Sequence, residues 1–211
     1  MSGILDLLNS DIGKSLINGV SGHTGQSKSK TSNLLTMAMP LLMQAMKRNA
    51  NSSEGASGIM GALQKHDGSI LDNLGGLFSG ENINSVSDDG GKILGHLLGN
   101  KQSNVQNALS QKSGIDAGSV GQILKVAAPI LMGVLGKQQR QSNVNSSSGI
   151  QGLLGGLIGT NASDQNQSFL ESMLDVDGDG SVIDDVTGMV LGGNKSKSGL
   201  GSLLGGLFGK K

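Results

Sequence analysis

The residues best able to do chemistry lie in one short acidic stretch. Asp175, Asp177 and Asp179 alternate with Val176 and Gly178; Gly180 and Ser181 follow, and Asp184 and Asp185 end the run. Carboxylates at the first, third and fifth positions of a tight loop converge on one point. A glycine at the sixth permits the sharp turn that a calcium loop needs. Ser181 would offer its backbone carbonyl, and residues 169–174 read as an entering helix. The closing bidentate glutamate is missing: Val186 stands at the twelfth position, and the acid arrives early, at Asp184. The expected ligands are Asp175, Asp177, Asp179, Ser181 and Asp184, holding Ca²⁺ weakly, at about 10⁻⁴ to 10⁻³ M. The alternative is an acidic turn that caps the following helix, with Asp184 and Asp185 facing its positive end.

Other signals exclude more than they suggest. There is no cysteine, which removes disulfides, thiolate zinc sites and a cysteine nucleophile. His23, His66 and His96 are scattered, with no second ligand at metal spacing, and read as surface or capping residues. The segment from Gly19 to Gly25 and Gln26 lacks the lysine and the spacing of a phosphate loop, and no apolar strand precedes it. No serine sits in a strand-to-helix nucleophile elbow. The expectation is a protein that is not an enzyme, with no catalytic residues and no small-molecule substrate. Lys and Arg total 16 and Asp and Glu total 16, so the chain has no electrostatic footprint for nucleic acid. Its charge is nevertheless uneven. Residues 171–185 hold acids and no base, and the tail beyond Gly193 holds four lysines and no acid.

The elements that would carry these residues are helical. With 36 Gly, three Phe and neither Trp nor Tyr, any core must be aliphatic, with nine Met as adaptable filler. Strand alternation is absent. The only two prolines, Pro40 and Pro129, lie 89 positions apart (129 − 40), and a slide of 89 lays one stretch on the other. Leu34-Leu35-Thr36-Met37-Ala38-Met39-Pro40-Leu41-Leu42-Met43 falls on Ile123-Leu124-Lys125-Val126-Ala127-Ala128-Pro129-Ile130-Leu131-Met132. Ser21, Gly25 and Ser27 fall on Ser110, Gly114 and Asp116. Ser57-Gly58-Ile59 resembles Ser148-Gly149-Ile150, and Asp88-Asp89 before an apolar run resembles Asp184-Asp185.

This predicts an all-α array of short helices made of two tandem repeats, each with a proline-kinked buried helix, and no sheet. A fixed kink is favoured over a hinge. Repeat one spans 1–98, repeat two 99–193, and 194–211 is a flexible Lys/Gly/Leu tail. In copy two a helix over 103–112 places Val105, Ala108 and Leu109 on one face. Gly114 then stops it, and Asp116 caps the next helix as Ser27 does in copy one. Segments 49–57 and 138–148 are expected to be solvated linkers.

The run from Asn107 through Ala127-Ala128-Pro129-Ile130-Leu131-Met132, with the late Asp-Gly-Asp-Gly-Ser segment, resembles the bacterial DUF937 family. That is a YidB-like group of helical proteins of unknown function. The resemblance covers roughly residues 1–192, implies an array of short helices and carries over no catalytic residue. Copy one departs from the pattern at Lys28-Ser29-Lys30-Thr31.

The expected role is a non-enzymatic binding or structural module that meets a protein partner or itself. The alternative is a peripheral membrane or envelope-associated protein that uses residues 199–211, an apolar Gly/Leu patch ending in two lysines. The start of the chain lacks a basic segment before an apolar run, so no signal peptide is expected. No run of about 18 apolar residues is evident either. A cytoplasmic location is the resulting default.

Overall fold

A computed structural model describes residues 4–80 and 82–159, all within one compact unit, Met1–Met173. The described residues form nine α-helices and two 3-10 turns, with no strand. They run α1 (Ile4–Asn9), α2 (Asp11–Thr24), α3 (Lys28–Asn49) and α4 (Ser53–Lys65). A 3-10 turn (Ser69–Asn73) leads into α5 (Leu74–Ser79) and α6 (Asn82–Leu98). A second (Gly99–Lys101) leads into α7 (Gln102–Ser113), α8 (Ala117–Gln141) and α9 (Ser147–Gly159).

Local chemistry sets the helix ends. Ser10, Ser27, Ser52 and Asp116 each stand in extended backbone before a helix and accept a hydrogen bond from the N–H three residues on. This satisfies one of the amides that a helix N-terminus leaves without a carbonyl. Gly25 and Gly114 end α2 and α7 in the left-handed region, at φ 67 and 66. A residue with a Cβ would be strained there.

The linkers are shorter than expected. Helix α4 already begins at Ser53, and α8 continues to Gln141 before α9 starts at Ser147. The serines that gave those stretches a polar composition act in part as helix caps: Ser52 Oγ accepts from Gly55 N at 3.0 Å, and Ser146 Oγ from Gly149 N at 3.1 Å.

Helices α3 and α8 form the centre. On α3, Leu34, Leu35, Ala38, Met39, Leu41, Leu42, Met43, Ala45 and Met46 are buried, and α8 is buried along most of its length. Pro40 and Pro129 lie inside these two helices. No buried core side chain is aromatic among the described residues, and Phe78 packs against the core only partly buried. Close backbone approach takes the place of aromatic bulk. Gly90 of α6 lies against the Lys125 carbonyl of α8, and Gly136 of α8 lies against the carbonyls of Leu63 and His66, so a Cβ at either glycine would collide with backbone oxygen.

One expectation is corrected here. Ala117–Gln141 is 25 residues long with a mean hydropathy of 1.5 over its best 18-residue window, so a helix long and apolar enough to cross a membrane is present. Gln122, Lys125 and Lys137 interrupt the run and hide it from a search for unbroken apolar residues. A cytoplasmic location inferred from the lack of such a segment therefore does not stand. Within this fold, 72% of that window is buried by protein.

Candidate functional site

The predicted ligands Asp175, Asp177, Asp179, Ser181 and Asp184 lie outside the described residues, as does the tail 199–211. Among the described residues, no group of three or more His, Cys, Asp or Glu side chains is placed to hold a metal ion. The expectation of a calcium cofactor is corrected accordingly. The described acids are dispersed along helix caps and exposed faces, and a hard cation needs several oxygens at one point.

What the fold does assemble is a polar groove of about 610 Å³ between the end of α4 and the body of α6, with Pro129 of α8 in its lining. His66 follows the last turn of α4. Ser85, Asp88, Asp89 and Lys92 come from α6, and Pro129 of α8 forms part of the lining. His66 Nε2 and Asp89 Oδ2 are 3.4 Å apart, with side chains 18% and 44% exposed. They form an ion pair whenever the imidazole is protonated.

The same residue is held from below, because its backbone carbonyl rests on Gly136. The backbone then turns sharply at Gly68, with φ 91. Hydrogen bonds from the Ser69 side chain and, at 3.0 Å, from Ser69 N hold the Asp67 carboxyl below the usual carboxylate range. His66 thus braces three elements: α4 that it ends, α8 under its carbonyl and α6 across its ring.

Ser85 precedes Asp89 by one helical turn, so a serine, a histidine and an aspartate share the groove. No hydrogen bond joins Ser85 to His66, and the imidazole nitrogen that faces α6 is taken by Asp89. A nucleophile needs its base within hydrogen-bond reach. His66 and Asp89 form a brace that also lines the groove.

In the sequence His66 reads as a surface or capping residue. Its partner lies 23 positions on, from 66 to 89, and no local spacing rule connects the two. The only available hint was the Asp88-Asp89 pair ahead of an apolar run.

The family described as "Bacterial protein of unknown function (DUF937)" matches residues 6–138 and 141–211, nearly the whole chain. No curated protein and no solved structure matches significantly.

Proposed function

The chain belongs to the bacterial DUF937 family, and on that premise we propose that it is a non-enzymatic helical interaction module built from two copies of one unit. Several correspondences support the duplication. Lys28 and Ala117, which open α3 and α8, are 89 positions apart, as are the caps Ser27 and Asp116, the left-handed Gly25 and Gly114, and the prolines. Ile59 and Leu63 of α4 correspond to Ile150 and Leu154 of α9, at an offset of 91, and all four are buried. Helix α4 packs on α8 and α9 packs on α3, so each copy's later helix is seated on the other copy's proline helix. A proline in each central helix removes one backbone hydrogen bond and favours a bend, the same bend in both copies.

One observation carries the binding role. Among the described residues, the two proline helices are covered unequally. On α8, the stripe of Pro129, Gly133 and Gly136 is buried under the end of α4, the first 3-10 turn and α6. At the corresponding positions of α3, Pro40 and Gln44 are half-buried and Lys47 is exposed. Among the described residues, the same design of helix is thus fully covered along this stripe in one copy and only partly covered in the other.

The test is photo-crosslinking in cells, with a photoreactive residue at Lys47 and, as controls, at other exposed positions such as Asn104 and Gln122. A discrete protein adduct, with a partner or with a second copy, supports the module reading. No discrete adduct from any position refutes it.

A second reading, association with an envelope membrane, is favoured by the length and hydropathy of α8. Flotation of the full chain with anionic liposomes tests it, because a chain that stays at the bottom of the gradient removes that reading.

A further inference from the structure

We propose that this chain pairs with a second copy of itself by exchanging halves, opening at Gly99. Such pairing rests on the duplicated interaction module proposed above and adds to it the partner and the surface. That surface is the one by which the two halves of a single chain already meet. Helix α3 packs on α7, α8 and α9, while α8 receives α2 and α4. Polar bonds follow the same lines. Gln26 donates to Ser119 Oγ at 3.3 Å, Lys30 to the Gly114 carbonyl at 2.9 Å and Gln151 to the Ala50 carbonyl at 2.8 Å. Each half finds its complement in the other half, and nothing in these contacts requires the two to belong to one chain.

The joint between the halves is a single backbone reversal. Helix α6 ends at Leu98, the second 3-10 turn spans Gly99–Lys101, and α7 begins at Gln102. Leu98, Lys101 and Gln102 all lie in the right-handed helical region. Within residues 82–113 only Gly99 has a positive φ, at 51. No side chain caps the start of α7, whereas Ser10, Ser27, Ser52 and Asp116 cap α2, α3, α4 and α8. The last carbonyls of α6 and the first amides of α7 would satisfy one another if the helix ran straight through.

A straight helix over 82–113 would be about 48 Å long. In the closed chain α6 and α7 both lie on α8. A rod of that length cannot fold back onto one helix, so its two ends are completed by different chains. The α6 end, with the first half, takes α8 of the second copy. The α7 end, with the second half, takes α3 of that copy. Two chains joined in this way recover the contacts of two closed ones in a symmetric pair that leaves no surface to add a third. Pairing is therefore concentration-dependent, and it is slow, because a closed chain must open before it exchanges.

The experiment uses the full chain, which has no cysteine of its own, so introduced thiols are the only ones. One variant is Gln26→Cys and the other Ser119→Cys, at two side chains that touch across the halves. The two proteins are unfolded, refolded together at high concentration and treated with a short bis-maleimide. A chain carrying both substitutions, refolded at high dilution, shows that the reagent spans the pair. A linked heterodimer, identified by mass, is expected from the co-refolded mixture and not from the same proteins mixed after folding. Gly99→Ala should raise the linked fraction about tenfold at low chain concentration, because alanine resists a positive φ and favours a continuous helix. A Cβ at Gly99 meets nothing within 4 Å, so that substitution acts through the backbone alone.

No linked heterodimer from co-refolded chains with the native hinge overturns the proposal, even if Gly99→Ala chains link. Equal linking by chains mixed after folding overturns it too, because that result marks a side-by-side contact. Failure here together with crosslinks from Lys47 to a different protein would sink the exchange and leave the interaction module standing. Absence of both would remove the two together.

Discussion

At the scale of single residues, the fold holds a few side chains whose chemistry is out of balance with their surroundings. Thr31 is fully buried in the first turn of α3, and its hydroxyl has no hydrogen-bond partner. The corresponding position on α8 is Val120, also fully buried. Valine has the same shape without the polar atom, so Thr31→Val is expected to stabilise the protein by about 1 kcal/mol, read from chemical denaturation.

Asp116 gives a pH-dependent counterpart. Hydrogen bonds from the Ser119 side chain and, at 2.9 Å, from Ser119 N hold its carboxylate below the usual range. A depressed folded-state pKa contributes stability that is complete above the unfolded value and is lost as pH falls through the folded one. Asp116→Asn keeps a capping oxygen and removes the proton linkage. Between about pH 5 and pH 2 the native protein should therefore lose more melting temperature than Asp116→Asn does; parallel curves would show that the cap is not titrating.

At the scale of elements, glycine has two opposite uses. At Gly90 and Gly136 it lets α6, α8 and the end of α4 touch backbone to backbone. Alanine at either position would have to push a helix aside, at a cost of about 1–3 kcal/mol. At Gly58, inside α4, a Cβ would meet nothing within 4 Å. Gly58→Ala should therefore stabilise by about 0.5–1 kcal/mol, through reduced freedom of the unfolded chain alone. Thermal melts of the three variants test the contrast, and equal effects at all positions would show that the helix crossings are looser than described.

The expected caps and stops at Ser27, Gly25, Gly114 and Asp116 were legible in sequence because capping is local: one side chain serves an amide three residues away. The separation of Gly90 and Gly136 from Gly58 was not legible. A glycine at a crossing and a glycine facing solvent have the same composition, and only the position of the opposing helix distinguishes them.

At the scale of the whole molecule, the core is shared between the two halves of the described chain. Helix α3 packs on α7, α8 and α9, and α8 receives α2, α4 and α6. A cut at the second 3-10 turn would strip α3 of α7, α8 and α9 and leave α6 without its bed. The half covering residues 1–101 is therefore expected to show helical circular dichroism without a cooperative melt, and mixing with the remainder should restore one sharp transition. A cooperative melt of the first half alone would contradict the shared core.

The all-helical class, the family and the two apolar helices around Pro40 and Pro129 are legible in the residues alone. These depend on local propensity, apolar density and an internal match that need no knowledge of contacts. The sequence hid the membrane-length hydropathy of α8, because scattered Gln and Lys break an apolar run without lowering its mean. Only the folded chain shows that His66 meets Asp89, that Gly90 and Gly136 are crossings, and that Pro129 is buried where Pro40 is half-buried. Each of these is set by which surfaces come together from distant parts of the chain, and side-chain type at one position carries no record of its neighbour across the core.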